Sequence, residues 1–154
     1  MRTPKAFIMV GIQGSGKTTT AEKIAHLCGI APSEHISADK IRQHINYEPT
    51  VWQIHTHLIQ SAVSMGYDIV IDNTSVKEKD RKTIIELIRK YQKTEYEIIA
   101  VEMRCDLEKC LERNFKRTRV VPKDIIKKYA LFYTSPSLKE GFDRLVVVDN
   151  NIDD

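Results

Sequence analysis

Five short runs rich in Ile and Val recur along the chain, at Ala6–Ile12, His35–Ala38, Asp68–Asp72, Glu97–Met103 and Arg144–Val148. Their positions are nearly all apolar rather than alternating with polar ones, the reading expected of strands covered on both faces. Between them lie longer segments of helical period at Lys17–Cys28, Lys40–Asn46, Val51–Met65, Lys77–Tyr91, Leu107–Arg113 and Lys123–Phe132. Strand and helix in alternation predict a parallel sheet flanked by helices. Pro122 suits the first turn of the last helix, where a missing N–H costs nothing. The stretch from Phe115 to Val121 is basic and poor in structural signal, and loops of that kind often carry function. No repeat, low-complexity tract or linker interrupts the pattern.

Composition narrows this picture only slightly. The 154 residues, 42% hydrophobic and 29% charged, suit one domain over residues 1–154. No apolar run approaches the roughly 20 residues that cross a bilayer, and the opening MRTPKAFIMVGI lacks a small-residue cleavage site. A cytoplasmic protein with no membrane partner is expected. Cys28, Cys105 and Cys110 are odd in number and at no metal-ligand spacing, so they read as buried thiols without chemistry. A net charge of +3 is too mild to demonstrate a nucleic-acid partner, so the placement of the basic residues matters more than their sum.

The first predicted strand runs into VGIQGSGKTTT. Gly11, Gly14, Gly16, Lys17 and Thr18 fit G-x-x-x-x-G-K-[ST] between a strand and a helix, the context in which that pattern forms a phosphate-binding P-loop. Glycines let successive N–H groups and the helix N-terminus point at a β-phosphate, and Lys17 supplies charge to the β and γ oxygens. Ser15 and Thr19 complete the predicted nucleotide cradle. Thr18 offers its hydroxyl to Mg²⁺.

A P-loop alone does not separate kinases from GTPases, motors or regulators. The sequence shows no N-K-x-D guanine-reading motif and nothing like the helical domain and arginine finger of a ring ATPase, which favours a small phosphotransferase. Asp72, in IVIDNTS, ends a predicted strand, where open α/β sheets bind ligands; there it holds Mg²⁺ through water, steadies Thr18, or merely caps a turn. In ISADKIRQHI, Asp39 and Arg42 lie three apart after another strand and share a helix face. Asp39 suits a general base and Arg42 an anion grip, the bland alternative being a cap and a solvated charge. In ERNFKRTRVVPKD, Arg113, Lys116, Arg117 and Arg119 cluster before Pro122, and Arg113 and Arg117 at i, i+4 read as lid arginines reaching in from one side. His55 and His57 sit at i, i+2 on a helix and face different ways, so they read as ordinary helix residues rather than a metal pair. Trp52, Tyr47 and Tyr67 suit either base stacking or core.

Three segments, GIQGSGKT, ISADKIR and CLERNFKRT…VP, with the later KEGFDRLVVVDN, resemble the 5′-hydroxyl polynucleotide kinases of phage and bacterial RNA and DNA repair and the related P-loop kinases. The resemblance covers most of the chain, and its R-N-x-x-R lid segment is the most discriminating part. It implies Asp39 as general base, Arg42 on the phosphate next to the acceptor hydroxyl, and Arg117 with Arg113 in the lid. The chain has Asp72-Asn73-Thr74-Ser75 where that family often shows D-x-T-N, and a shorter lid. It carries no D-x-D phosphatase signature, so no 3′-phosphatase is expected.

These readings combine into one expectation: an α/β P-loop NTPase domain, with a five-stranded parallel sheet in the order 2-3-1-4-5 and a short lid. It would transfer the γ-phosphoryl group of ATP, with Mg²⁺, to a nucleic acid bearing a 5′-hydroxyl end. A small-metabolite kinase, and a nucleotide-binding regulator or toxin-like module without a nucleic-acid acceptor, remain open beside it.

Overall fold

A computed structural model describes residues 2–152. Its five strands are β1 (Lys5–Val10), β2 (His35–Ile36), β3 (Ile69–Ile71), β4 (Glu97–Arg104) and β5 (Arg144–Asp149), and its helices are α1 (Lys17–Cys28), α2 (Ala38–Arg42), α3 (Glu48–Ser64), α4 (Glu78–Tyr91), α5 (Leu107–Phe115) and α6 (Lys123–Phe132). All strand pairs are parallel, and the sheet order is β2-β3-β1-β4-β5, as the alternation of elements predicted.

The continuous apolar runs have a direct cause. In β1, Ala6, Ile8 and Val10 enter a core shared with Ile59 and Val63 of α3 and Ile84, Ile85 and Ile88 of α4. Met9 turns the other way, packing with Phe7 against Ala21, Ile24 and Ala25 of α1. In β4, Ile98 and Ala100 join the first layer, while Ile99, Val101 and Met103 join the second. Side chains still alternate with period two, but both faces meet helices, so neither face is polar.

β5 departs from this rule. It pairs only with β4, at the sheet edge, and Leu145, Val146 and Val147 are 38%, 38% and 50% exposed. An apolar run therefore marks a strand here without marking burial. Several boundaries shift: α2 ends at Arg42 rather than Asn46, and α3 begins at Glu48 rather than Val51. Ser37 accepts a hydrogen bond from the Lys40 N–H, which starts α2 at Ala38 rather than Lys40. α5 runs two residues past Arg113 to Phe115.

A pair of charges absent from the sequence reading lies beneath the sheet's carboxyl end. Arg81 of α4 is wholly buried; its Nε donates to Glu140 at 2.6 Å, and its Nη1 donates to the Ser75 and Thr134 carbonyls, both at 3.0 Å. The Glu140 carboxylate also accepts from the Ser137 N–H. Such a pair is tolerable only when its donors are met, as they are here, and removing one partner strands the other. It ties the loop after β3 to the segment after α6.

Candidate active site

The β1–α1 turn has the backbone that its glycines permit. Gly14 and Gly16 adopt φ of 84° and 94°, in the left-handed region that side chains avoid. Space is as restrictive as conformation: a Cβ on Gly14 would lie 2.3 Å from the Cys110 carbonyl, and one on Gly16 would lie 2.2 Å from Asn150 Nδ2. That same amide donates to the Ser15 carbonyl at 2.9 Å, while the Gly11 N–H donates to the Thr74 carbonyl at 2.9 Å. The loop is thus held from β5 on one side and from the end of β3 on the other.

Within this loop the polar groups are poised for an anion. α1 begins at Gly16 with no side-chain cap and no acidic residue in its first turn, so its first N–H groups are left for a ligand. The Ser15 hydroxyl and the Gln13 Oε1 are buried without a hydrogen-bond partner among the described residues. Lys17 Nζ donates to the Ile12 carbonyl at 3.2 Å. Burial pushes the Lys17 amine below its usual range; Asp72 and Asp39 pull it back up, and Arg117 pushes it further down. An ammonium short of counter-charge beside free helix N–H groups fits the phosphates of ATP.

Thr18 and Asp72, the predicted metal pair, are brought together: the Thr18 hydroxyl donates to Asp72 Oδ2 at 2.9 Å. His35 of β2 stands 3.2 Å from the same oxygen. Burial raises the Asp72 carboxyl, but His35, Lys17 and Thr18 together outweigh it and hold the group ionised. Among the described residues no cluster of three His, Cys, Asp or Glu forms a metal cage. One carboxylate and one hydroxyl, with phosphate oxygens and water, is the set Mg²⁺ prefers. Thr19 follows on the exposed side of the same turn.

The side expected to meet the acceptor is built on α2. Asp39 is 62% exposed, and Arg42 Nη1 donates to its Oδ1 at 2.7 Å. The rest of the Arg42 fork is also engaged, Nε and Nη2 reaching Glu48 at 2.9 and 2.7 Å over the ring of Trp52. Behind α2, the Ala38 N–H donates to Asn73 Oδ1 at 3.0 Å, which fixes the amide so that its Nδ2 donates to His55 Nε2 at 2.7 Å. His55 therefore accepts, and it is neutral: burial and the Arg42 charge push its pKa down to about 4. It is buried while His57 is exposed, as the i, i+2 spacing required. Trp52 is exposed beneath the Arg42 guanidinium and Tyr47 is exposed at the N-cap of α3, whereas Tyr67 lies at the other end of β3.

The lid has a closed neck. Asn114 donates to the Val121 carbonyl at 2.7 Å and accepts from its N–H at 3.0 Å, leaving residues 116–120 as a loop between. Arg117 lies in electrostatic range of Lys17, and Arg119 Nη1 sits 3.6 Å from Asp39. Arg113 is not brought with them. Its Nη1 donates to Cys105 Sγ at 3.2 Å and its Nη2 to the Ile152 carbonyl at 2.7 Å. The i, i+4 argument fails because α5 ends at Phe115, before Arg117. Cys28 is exposed and Cys105 half-buried, so only Cys110 matches the expected buried thiol.

Residues 7–136 match the AAA domain family. The chain belongs to that family. The matched span takes in the P-loop, the Asp39–Arg42 helix, Asp72 and the lid, and the fold is that of the P-loop kinases. The L-seryl-tRNA(Sec) kinase of Methanococcus maripaludis is 21% identical over 88% of this chain, which spans 55% of that relative's length. A gluconokinase of Sinorhizobium meliloti 1021 superposes with a TM-score of 0.65 at 18% identity, over 97% of this chain and 85% of the other. A fungal RNA kinase does so with a TM-score of 0.67 at 17% identity, over 100% and 78%. The acceptors these names state range from a sugar acid to RNA. Among the described residues no helix is long and apolar enough to cross a membrane.

Proposed function

We propose that the protein is a kinase that transfers the γ-phosphoryl group of ATP, with Mg²⁺, to the 5′-hydroxyl end of a polynucleotide. The observation that carries this reading is the exposed Asp39 carboxylate, placed between Arg42 of α2 and Arg119 of the lid and within electrostatic range of Lys17. The P-loop amides and Lys17 hold the phosphates of the donor. Bound at Thr18 and Asp72, Mg²⁺ would neutralise charge on the phosphate oxygens. Asp39 takes the proton of the attacking hydroxyl, and Arg117 approaches the transferred group from the lid. A hydroxyl alone needs only a base; a guanidinium fork beside that base suits an acceptor with its own phosphate, and exposed Trp52 and Tyr47 offer rings to a base. Glu48 now occupies that fork. Pairs as exposed as this one contribute about 0–1 kcal/mol, so a phosphate displaces it at little cost.

The same contact supports a second reading. Because Arg42 is already neutralised by Asp39 and Glu48, a hydroxyl-rich metabolite without a phosphate would also fit. Labelled ATP with 5′-hydroxyl oligonucleotides, a nucleoside, its 3′-phosphate and sugar acids separates the two. The polynucleotide reading expects the 3′-phosphate to far exceed the nucleoside. Arg42→Ala should raise KM for the oligonucleotide at least about tenfold, the cost of a charged hydrogen-bond pair, and leave KM for ATP unchanged. Binding should weaken by about 0.7 log units per contacted phosphate per log unit of salt. Equal use of nucleoside and 3′-phosphate, with Arg42→Ala silent, sinks it in favour of the metabolite.

A further inference from the structure

We propose that Cys105 and Cys110 form a reversible disulfide that couples the oxidation state of the protein to its P-loop. This inference stands apart from the choice of acceptor. Asp106 is the N-cap of α5, which makes Cys105 the residue before the cap and Cys110 the fourth helical residue. Those two positions meet across the first turn of a helix, where apolar side chains ordinarily staple the entering chain to it. Here the staple is two thiols. The Cys110 thiol donates to the Cys105 carbonyl at 3.7 Å.

The two sulfurs have complementary surroundings. Cys105 is half-buried and so reachable, and Arg113 Nη1 donates to its Sγ at 3.2 Å, on the atom that must carry negative charge when it attacks. Cys110 is fully buried behind it, the place of a resolving thiol. With a peroxide as oxidant, the Cys105 sulfur takes one oxygen as the O–O bond breaks, and the first water leaves. The Cys110 sulfur then displaces hydroxide from that sulfenic acid, and its thiol proton completes the second water. Two electrons pass from the thiol pair to the peroxide, and a dithiol reverses the step.

The bond matters because of what Cys110 touches. Its carbonyl occupies the space in which a Cβ on Gly14 would stand, so the first turn of α5 rests on the phosphate loop. A disulfide draws the two Cα atoms to about 4.4–6.8 Å and imposes its own torsion on Cys110. It also turns the thiol that Arg113 contacts, on the helix leading to the Asn114 neck, into a neutral disulfide sulfur.

The test uses Cys28→Ser protein treated with hydrogen peroxide, followed by intact mass, thiol alkylation and ATP binding. The expected result is loss of two hydrogen masses and two alkylatable thiols, with ATP affinity falling about tenfold, the ordinary scale of coupling between adjoining sites. Dithiothreitol should restore all three. Cys105→Ser and Cys110→Ser should each keep their affinity under peroxide, and Cys105→Ala serves if the buried Cys110 variant fails to fold. Retention of both thiols under peroxide, or an equal loss of affinity in Cys105→Ser or Cys105→Ala, overturns the proposal.

Discussion

Around the phosphate loop, the restraints are short, partly buried hydrogen bonds: Asn150 on the Ser15 carbonyl, Thr74 on the Gly11 N–H, and Thr18 on a buried Asp72. Around Asp39, they are ion pairs among long exposed side chains: Arg42 to Asp39 and Glu48, and Arg119 to Asp39 from the lid. Breaking a bond of the first kind leaves a desolvated group unmet and costs about 1–3 kcal/mol; rearranging the second costs about 0–1 kcal/mol. The proposed donor side is therefore preorganised for one ligand shape, and the proposed acceptor side is held closed by contacts that a substrate can replace. This difference accords with a common fold found among proteins named for quite different acceptors.

The comparison can be broken most decisively at Lys17. Lys17→Ala should abolish phosphotransfer while thermal unfolding stays near wild type, since among the described residues its ammonium makes only a 3.2 Å hydrogen bond to a loop carbonyl. Wild-type turnover by that variant would remove the donor side from the chemistry. Next in size is Asp39→Asn, which keeps the shape and loses the proton acceptor. Its kcat should fall by on the order of 10²–10⁴ with ATP affinity little changed, as single-turnover and binding measurements would separate.

The scaffold under the acceptor side is rigid even though its surface is not, and pH exposes this. His55 has a folded pKa of about 4 against an ordinary 6.5, so the unfolded chain takes up a proton that the native state refuses. The stability this protects is complete above pH 6.5, falls as pH drops, and is fully lost below about 4. At pH 5 the loss is on the order of 2 kcal/mol. Urea unfolding at pH 7.5 and pH 5 should show that difference in the wild type and not in His55→Gln, whose amide accepts from Asn73 without titrating. Equal pH slopes would mean that His55 is free to charge. The smallest effect is Asn150→Ala, which should weaken ATP binding by about 1 kcal/mol through the freed Ser15 carbonyl and leave acceptor KM unchanged. A change in acceptor KM would show that the two halves are not independent.

What was legible in the sequence follows the same division. The P-loop is a contiguous pattern whose glycines answer local conformation, and the Thr18–Asp72 pairing follows from two strands ending at the same edge. His35, Asn150 and the Arg81–Glu140 pair were not legible, because each acts on a partner distant in sequence through a contact that no local period encodes. Arg113 was misread for a local reason: the i, i+4 rule presumes a helix that continues, and α5 stops at Phe115. Glu48 escaped notice because it follows Arg42 by six residues across a break between helices, where no spacing rule applies. The exposed apolar residues of β5 mark the limit of apolar content as a measure of depth.

The neck that Asn114 closes on Val121 has a consequence for how such a domain can diversify. An amide that meets both the N–H and the carbonyl of one residue copies a rung of sheet, and it fixes the ends of the loop independently of what lies between. Loop closure changes by only about 0.6 kcal/mol for each doubling of length. The segment between Phe115 and Val120 is thus free to lengthen, shorten or exchange its basic residues while α5 and α6 stay in register. If the loop meets the acceptor through Arg119 as proposed, its tip residues can be exchanged with the nucleotide machinery left as it is.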